Sequence, residues 1–178
     1  MRTTQLTAII ALALSLAACG KAAEGGATKA LTPGEPGGAP TVAAAAPSDV
    51  CGLLSKADVE AASKVKVGAI VPTDATSAQT GRCEFQHADT ASFGTSIIAA
   101  LSVYKPEKIE AQKTVWTQLM KAAPVSGVGD YAYYNEAGGV VFAGKGGHAV
   151  EVQMLDGPAG PGRLEAIKTL AAEALSKL

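Results

Sequence analysis

The sequence predicts an α+β fold: an antiparallel sheet covered on one face by helices, a two-layer sandwich. Three observations predict it. Runs that alternate with period two are separated by short glycine-rich breaks, the mark of strands joined by hairpins. Two longer segments have helical period and carry apolar stripes that need a surface to cover. The elements follow the order helix, strands, helix, strands, helix, which suits helices laid on one sheet. The folded part is expected over residues 48–178, as a single domain. From Asp49 onward it holds 37 Val, Ile, Leu, Met, Phe, Trp and Tyr residues, enough for one continuous core.

Each element has a local reason. Ser55 can cap a first helix, with Asp58 three residues on in capping-box position and Leu54 placed as the apolar residue before the cap. That helix should end near Lys64, where Val65-Lys66-Val67 switches to period two. Arg82–His87 alternates, with Cys83, Phe85 and His87 on one face and Arg82, Glu84 and Gln86 on the other. Thr95–Tyr104 is apolar on both faces and reads as a central strand. Pro106 opens a second helix, with Glu107 and Glu110 in its first turns and Lys121 in its last. Ile109, Trp116, Leu119, Met120 and Ala123 form its stripe, and Pro124 ends it. Tyr131–Asn135, Val140–Ala143 and Ala149–Leu155, split by glycine-rich breaks, predict a three-stranded meander. After the loop Asp156–Gly162, residues 164–178 form an amphipathic helix with Glu165–Lys168 and Glu173–Lys177 on its wet side.

Composition excludes some functions. The formal charge is −1 over 178 residues, and the domain itself has 12 basic against 14 acidic residues. There is no basic field for nucleic acid. With 4% aromatics, a stacking platform is a poor expectation. No metal or cofactor is expected, because His87 and His148 show no ligand spacing with each other or with cysteines. Gly139–Gly146 approaches a phosphate-loop pattern, but Gly146 stands where a hydroxyl residue is needed and a strand follows instead of a helix. The histidines, with Asp89, Asp130, Ser92 and Ser126, do not sit in a nucleophile elbow and read as solvated or capping residues at strand ends. No catalytic residue is expected, and the protein reads as a non-enzyme. Trp116 reads as core.

The N-terminus carries an address. Arg2 precedes Leu6–Leu16, eleven uncharged residues. At about 1.5 Å each they cover about half of a bilayer core, which fits a signal-peptide h-region better than a span. Leu16-Ala17-Ala18-Cys19 then resembles the lipobox of bacterial lipoproteins. The resemblance implies a signal peptide over residues 1–18, diacylglycerol on the Cys19 sulfur, cleavage before it, and N-acylation, by palmitate for example, in Gram-negative bacteria. The membrane partner is then engaged through the anchor. In Gram-negative bacteria the residue after the cysteine helps sort lipoproteins; Gly20 is not the Asp that usually retains them at the inner membrane, so the expected site in such a cell envelope is the outer membrane, facing the periplasm. Residues 19–47 read as lipidated cysteine plus tether. Of the 28 residues from Gly20 to Pro47, nine are Ala, six Gly and four Pro, too few large apolar groups to offset ordering entropy. The reach is roughly 30 Å.

Two further cysteines remain, Cys51 and Cys83. In an exported chain an even pair is usually a disulfide, with a nucleophilic or metal-bound thiol as the alternative. The segment Cys51-Gly-Leu-Leu-Ser55, together with the turn Gly127-Val-Gly-Asp-Tyr-Ala132, resembles small bacterial lipoproteins of unknown function. The resemblance implies a Cys51–Cys83 bond and no known activity. The expected role is therefore a binding or scaffolding module of the cell envelope. Its alternatives are a small-ligand or lipid-binding module, with an apolar pocket between sheet and helices, and an inhibitor or accessory protein of an envelope enzyme. The latter would use a sheet-face patch around Tyr131, Tyr133 and Tyr134.

Overall fold

A computed structural model describes residues 49–89 and 96–178. The signal-peptide, Cys19 and tether assignments lie outside the described residues. The domain is α+β, as the patterning requires. Seven strands form one antiparallel sheet: β1 (Val67–Thr73), β2 (Gln79–His87), β3 (Ile97–Tyr104), β4 (Ala123–Pro124), β5 (Tyr131–Asn135), β6 (Val140–Lys145) and β7 (His148–Met154). Their spatial order is β1-β2-β3-β7-β6-β5-β4. The helices are α1 (Lys56–Ser63), α2 (Ile109–Thr114), which runs on into a π turn Val115–Leu119, and α3 (Pro161–Ser176).

Cβ alternation sorts the sheet into two faces. On the first, Phe85, Leu101, Val103, Val141, Val150, Val152 and Met154 join Val59 of α1 and Ile167, Leu170, Ala171 and Ala174 of α3 in the main core. The second face carries a smaller cluster in which Tyr104, Val140, Phe142 and Ala149 meet Ile109 and Trp116. Helices α1 and α3 thus form the second layer, and the α2 segment lies as a flap on the opposite face. Strand β3 is buried at seven of its eight positions, which its apolar residues on both faces allow.

The capping box at α1 forms in both directions: Ser55 Oγ accepts from Asp58 N, and Asp58 Oδ2 accepts from Ser55 N. Those bonds from Ser55, backbone first, hold the Asp58 carboxyl below its ordinary range. The helix ends at Lys64, in the left-handed region at φ 65°. A 3-10 turn, Val50–Leu53, precedes it and buries Val50 and Leu53.

The middle helix corrects its sequence reading. Ile109 and Trp116 are buried as the stripe requires, but Leu119 is 76% and Met120 43% exposed, and Ala123 is exposed on an edge strand. The cause is the π turn. Met120 N–H donates to Val115 O, a closure that holds more residues per turn than an α-helix and lets the stripe drift off the sheet. Lys121 then takes φ 49°, and Ala122 turns inward instead of Ala123. Strand β2 starts at Gln79, three residues before the alternation that begins at Arg82.

Candidate functional site

The surface most unlike a simple helix-covered sheet is the second face. One register row crosses it through Thr73, Arg82, Ser102, Glu151, Phe142 and Tyr133. The row is polar over β1 to β3 and aromatic over β6 and β5. At the polar end the Arg82 guanidinium lies 3.5 Å from Glu84 Oε1 and 3.4 Å from Ser102 Oγ. At the boundary Tyr104 Oη donates to Glu151 Oε2 at 2.5 Å. Burial, and then the Glu151 charge, raise the Tyr104 hydroxyl well above its ordinary pKa. The phenol is held neutral, as a donor, and carries no nucleophilic charge.

The aromatic end is built from β5, β6 and the α2 segment. Trp116 stacks on Phe142 with ring centroids 5.6 Å apart, and Tyr104 meets Phe142 edge-on at 5.3 Å. Tyr131 lies 6.1 Å from Tyr133 and 5.9 Å from Phe142, with Lys113 Nζ 4.0 Å above its ring. Tyr131 lies flat over Gly144, where any Cβ would collide with the ring. Its hydroxyl is buried with no hydrogen-bond partner among the described residues. Burial, and then Glu110, push its pKa up to about 12. A cleft of about 430 Å³ opens beside it, between Pro106, Ile109, Lys113, Asp130 and Gly147.

The three tyrosines proposed as a partner surface are divided by strand alternation. Tyr131 and Tyr133 belong to the second face, whereas Tyr134 points to the first and packs against the main core. All three are half-buried. Cys51 and Cys83 are bonded, with Cα atoms 5.2 Å apart. The bond fastens the Val50–Leu53 turn to β2. The histidines stand at opposite ends of the sheet: His87 beside Ser96, His148 in the β6–β7 hairpin. His87 is not solvated, as its place at a strand end suggests, but buried, with Nε2 3.2 Å from Asp156 Oδ2. The Gly139–Gly146 stretch is strand and hairpin, with Gly146 and Gly147 both at positive φ. In the Gly127–Asp130 turn, Asp130 Oδ2 accepts from Gly146 N at 2.9 Å and Asp130 N donates to Gly144 O at 2.7 Å, so this turn locks onto the hairpin.

On the first face a groove of about 520 Å³ runs between α1 and α3, floored by Ala61, Ala62, Ala166 and Leu170 and rimmed by Asp58 and Glu173. Among the described residues no group of three His, Cys, Asp or Glu could hold a metal ion, and no helix is long and apolar enough to cross a membrane. Sequence reasoning missed this groove, the Tyr104–Glu151 pair and the exposed Leu119–Met120 tip. The first two depend on contacts between elements distant in the chain. The tip was masked by its helical spacing. Comparison with family models, with curated proteins and with solved structures finds no match.

Proposed function

We propose that the protein is a membrane-anchored lipoprotein of the cell envelope whose domain is a non-enzymatic binding or scaffolding module. The observation that carries this reading is the order of features at the N-terminus: Arg2, eleven uncharged residues, then Leu16-Ala17-Ala18-Cys19. The cysteine bond supports it, because such bonds persist in oxidising compartments outside the cytosol. The pairing of charges supports a binding role over catalysis. Arg82 is taken up by Glu84 and Glu151 by Tyr104, and Asp130, which lines the cleft beside Tyr131, is held by the Gly146 amide of the hairpin. The test is Cys19→Ser with cell fractionation. The variant is expected to leave the membrane fraction, and retention as tight as that of the parent overturns the anchor.

A second reading, a small-ligand or lipid-binding module, is favoured by the apolar groove between α1 and α3. Native mass spectrometry of the protein purified from cells tests it. A retained ligand that is lost on Ala166→Trp supports it, and a ligand-free spectrum counts against it. An inhibitor or accessory role would draw on the second-face tyrosines. Crosslinking in intact cells would then capture an enzyme through Tyr131 or Tyr133.

A further inference from the structure

We propose that the Leu119–Met120 tip is a second contact with an anionic bilayer surface, made beside the lipid anchor. The proposal rests on the lipoprotein reading above. Leu119 and Met120 are adjacent and exposed, 76% and 43%. They are held out by a braced backbone. Met120 N–H donates to Val115 O at 2.9 Å, Ala122 N–H donates to Trp116 O at 2.9 Å, and Asn135 Nδ2 donates to Met120 O at 3.1 Å. Trp116, stacked on Phe142, pins the root of the turn to the sheet. The pair is therefore displayed on a fixed knuckle and not on a loose loop.

Charge decides the occupant. Residues 105–121 carry Lys105, Lys108, Lys113 and Lys121 against Glu107 and Glu110, a net +2. The rest of residues 49–178 carries 8 basic and 12 acidic residues, a net −4. Lys121, next to Met120, is exposed. An apolar tip next to Lys121, in a segment of net positive charge on an acidic domain, complements anionic headgroups. Area argues against a protein partner here, since two side chains fall far short of the roughly 800 Å² per side that a stable interface needs. A chain already anchored needs far less, because the second contact is then intramolecular.

The test uses the full lipidated chain in phosphatidylcholine vesicles with a minority of phosphatidylglycerol. With Cys19 lipidated and Cys51 bonded to Cys83, a cysteine introduced by Gln118→Cys is the one free thiol for an environment-sensitive fluorophore. Ser176→Cys, exposed at the end of α3 over the opposite face and outside the groove, is the control. Quenching by spin-labelled phospholipid is expected to be about twofold or more stronger at position 118 than at 176. It should fall to the control level when Leu119→Ser and Met120→Ser are added, and weaken with Lys121→Glu. Equal quenching at 118 and 176 overturns the second contact, as does quenching at 118 that survives the double serine change. Fractionation of Cys19→Ser separates the two failures. A chain that is anchored but unquenched at 118 loses only this proposal, whereas a chain that was never anchored loses both.

Discussion

Removing the Cys51–Cys83 bond is the perturbation whose size the structure fixes best. The bond spans a sequence separation of 32, closing a loop that contains α1, β1 and the turn into β2. For a loop of that length the chain-entropy account gives about 3.7 kcal/mol at 25 °C. The native state reduces it. Val50, Leu53 and Leu54 are buried, and Lys177 Nζ donates to Leu53 O at 2.9 Å, so part of the segment stays docked without the bond. A net loss of about 2–3 kcal/mol follows, or roughly 6–12 °C in Tm for a domain of this size. The assay is thermal unfolding followed by circular dichroism, comparing the oxidised protein with Cys51→Ala. That variant spares the fully buried Cys83 site from a cavity. Non-reducing mass spectrometry after alkylation should find no modified thiol in the parent. A Tm change under about 2 °C would refute the reasoning, because it would mean that packing alone holds the Val50–Leu53 turn.

Three further outcomes are expected. Trp116→Ala should cost about 3–5 kcal/mol in urea unfolding, because it removes the ring that covers Phe142 and roots the π turn; a loss under about 1 kcal/mol would show that the flap contributes little. Gly129→Ala should destabilise by about 2 kcal/mol or more, since Gly129 sits at φ 60° and its Cβ would collide with the Gly144 carbonyl oxygen. The same change at Gly146, also at positive φ but facing open space, should cost less, and equal costs would contradict the collision. Alkaline pH should destabilise the fold through Tyr104 and Tyr131. Both pKa values are raised on folding, so the folded state keeps its protons while the unfolded chain releases them. This contribution is complete below about pH 10 and falls as pH rises toward the folded values, about 12 for Tyr131. Tyr104→Phe with Tyr131→Phe should flatten that slope, and an unchanged slope would assign it elsewhere.

Where the sequence was legible, local chemistry decided the structure. Ser55 and Asp58 specify the start of α1 without reference to the rest of the chain, and both capping bonds form. Alternation at Cys83 and Phe85 fixed the inward face of β2, and both are buried. The glycine pair at 146–147 fixed the last hairpin. Where it was not legible, tertiary contacts chose between alternatives of similar local energy. Residues 109–123 suit an α stripe, but the stacking of Trp116 on Phe142 and the bond from Asn135 to Met120 select a π turn that turns Leu119 outward. Tyr133 and Tyr134 look alike in sequence, yet one residue of offset sends them to opposite faces. His87 reads as a surface residue until Asp156, 69 positions later in the sequence, closes over it.

The two edges of the sheet narrow the ways this domain can take a partner. An open edge offers unpaired N–H and C=O groups to a strand from another chain. At the β1 edge several of those groups are already used or missing. Glu60 Oε1 accepts from Val67 N at 2.9 Å, Lys56 Nζ donates to Gly68 O at 2.5 Å, and Pro72 has no N–H to offer. The bond from Val67 N, and then that from Lys66, hold the Glu60 carboxyl below its ordinary range, so this guard stays ionised through neutral and mildly acidic pH and is lost only as pH falls through that lowered value. At the other edge β4 is two residues long and ends at Pro124, Val125 N donates to Ala132 O, and Asn135 reaches back to Met120 O. Pro and short length both discourage further pairing. Binding by strand addition is thereby hindered at both ends, which favours recognition through side chains: the groove between α1 and α3, the second-face tyrosines, and the tip at Leu119–Met120. Of these, only the tip presents large apolar side chains that nothing in the domain covers, which is why it carries the membrane proposal and the groove does not.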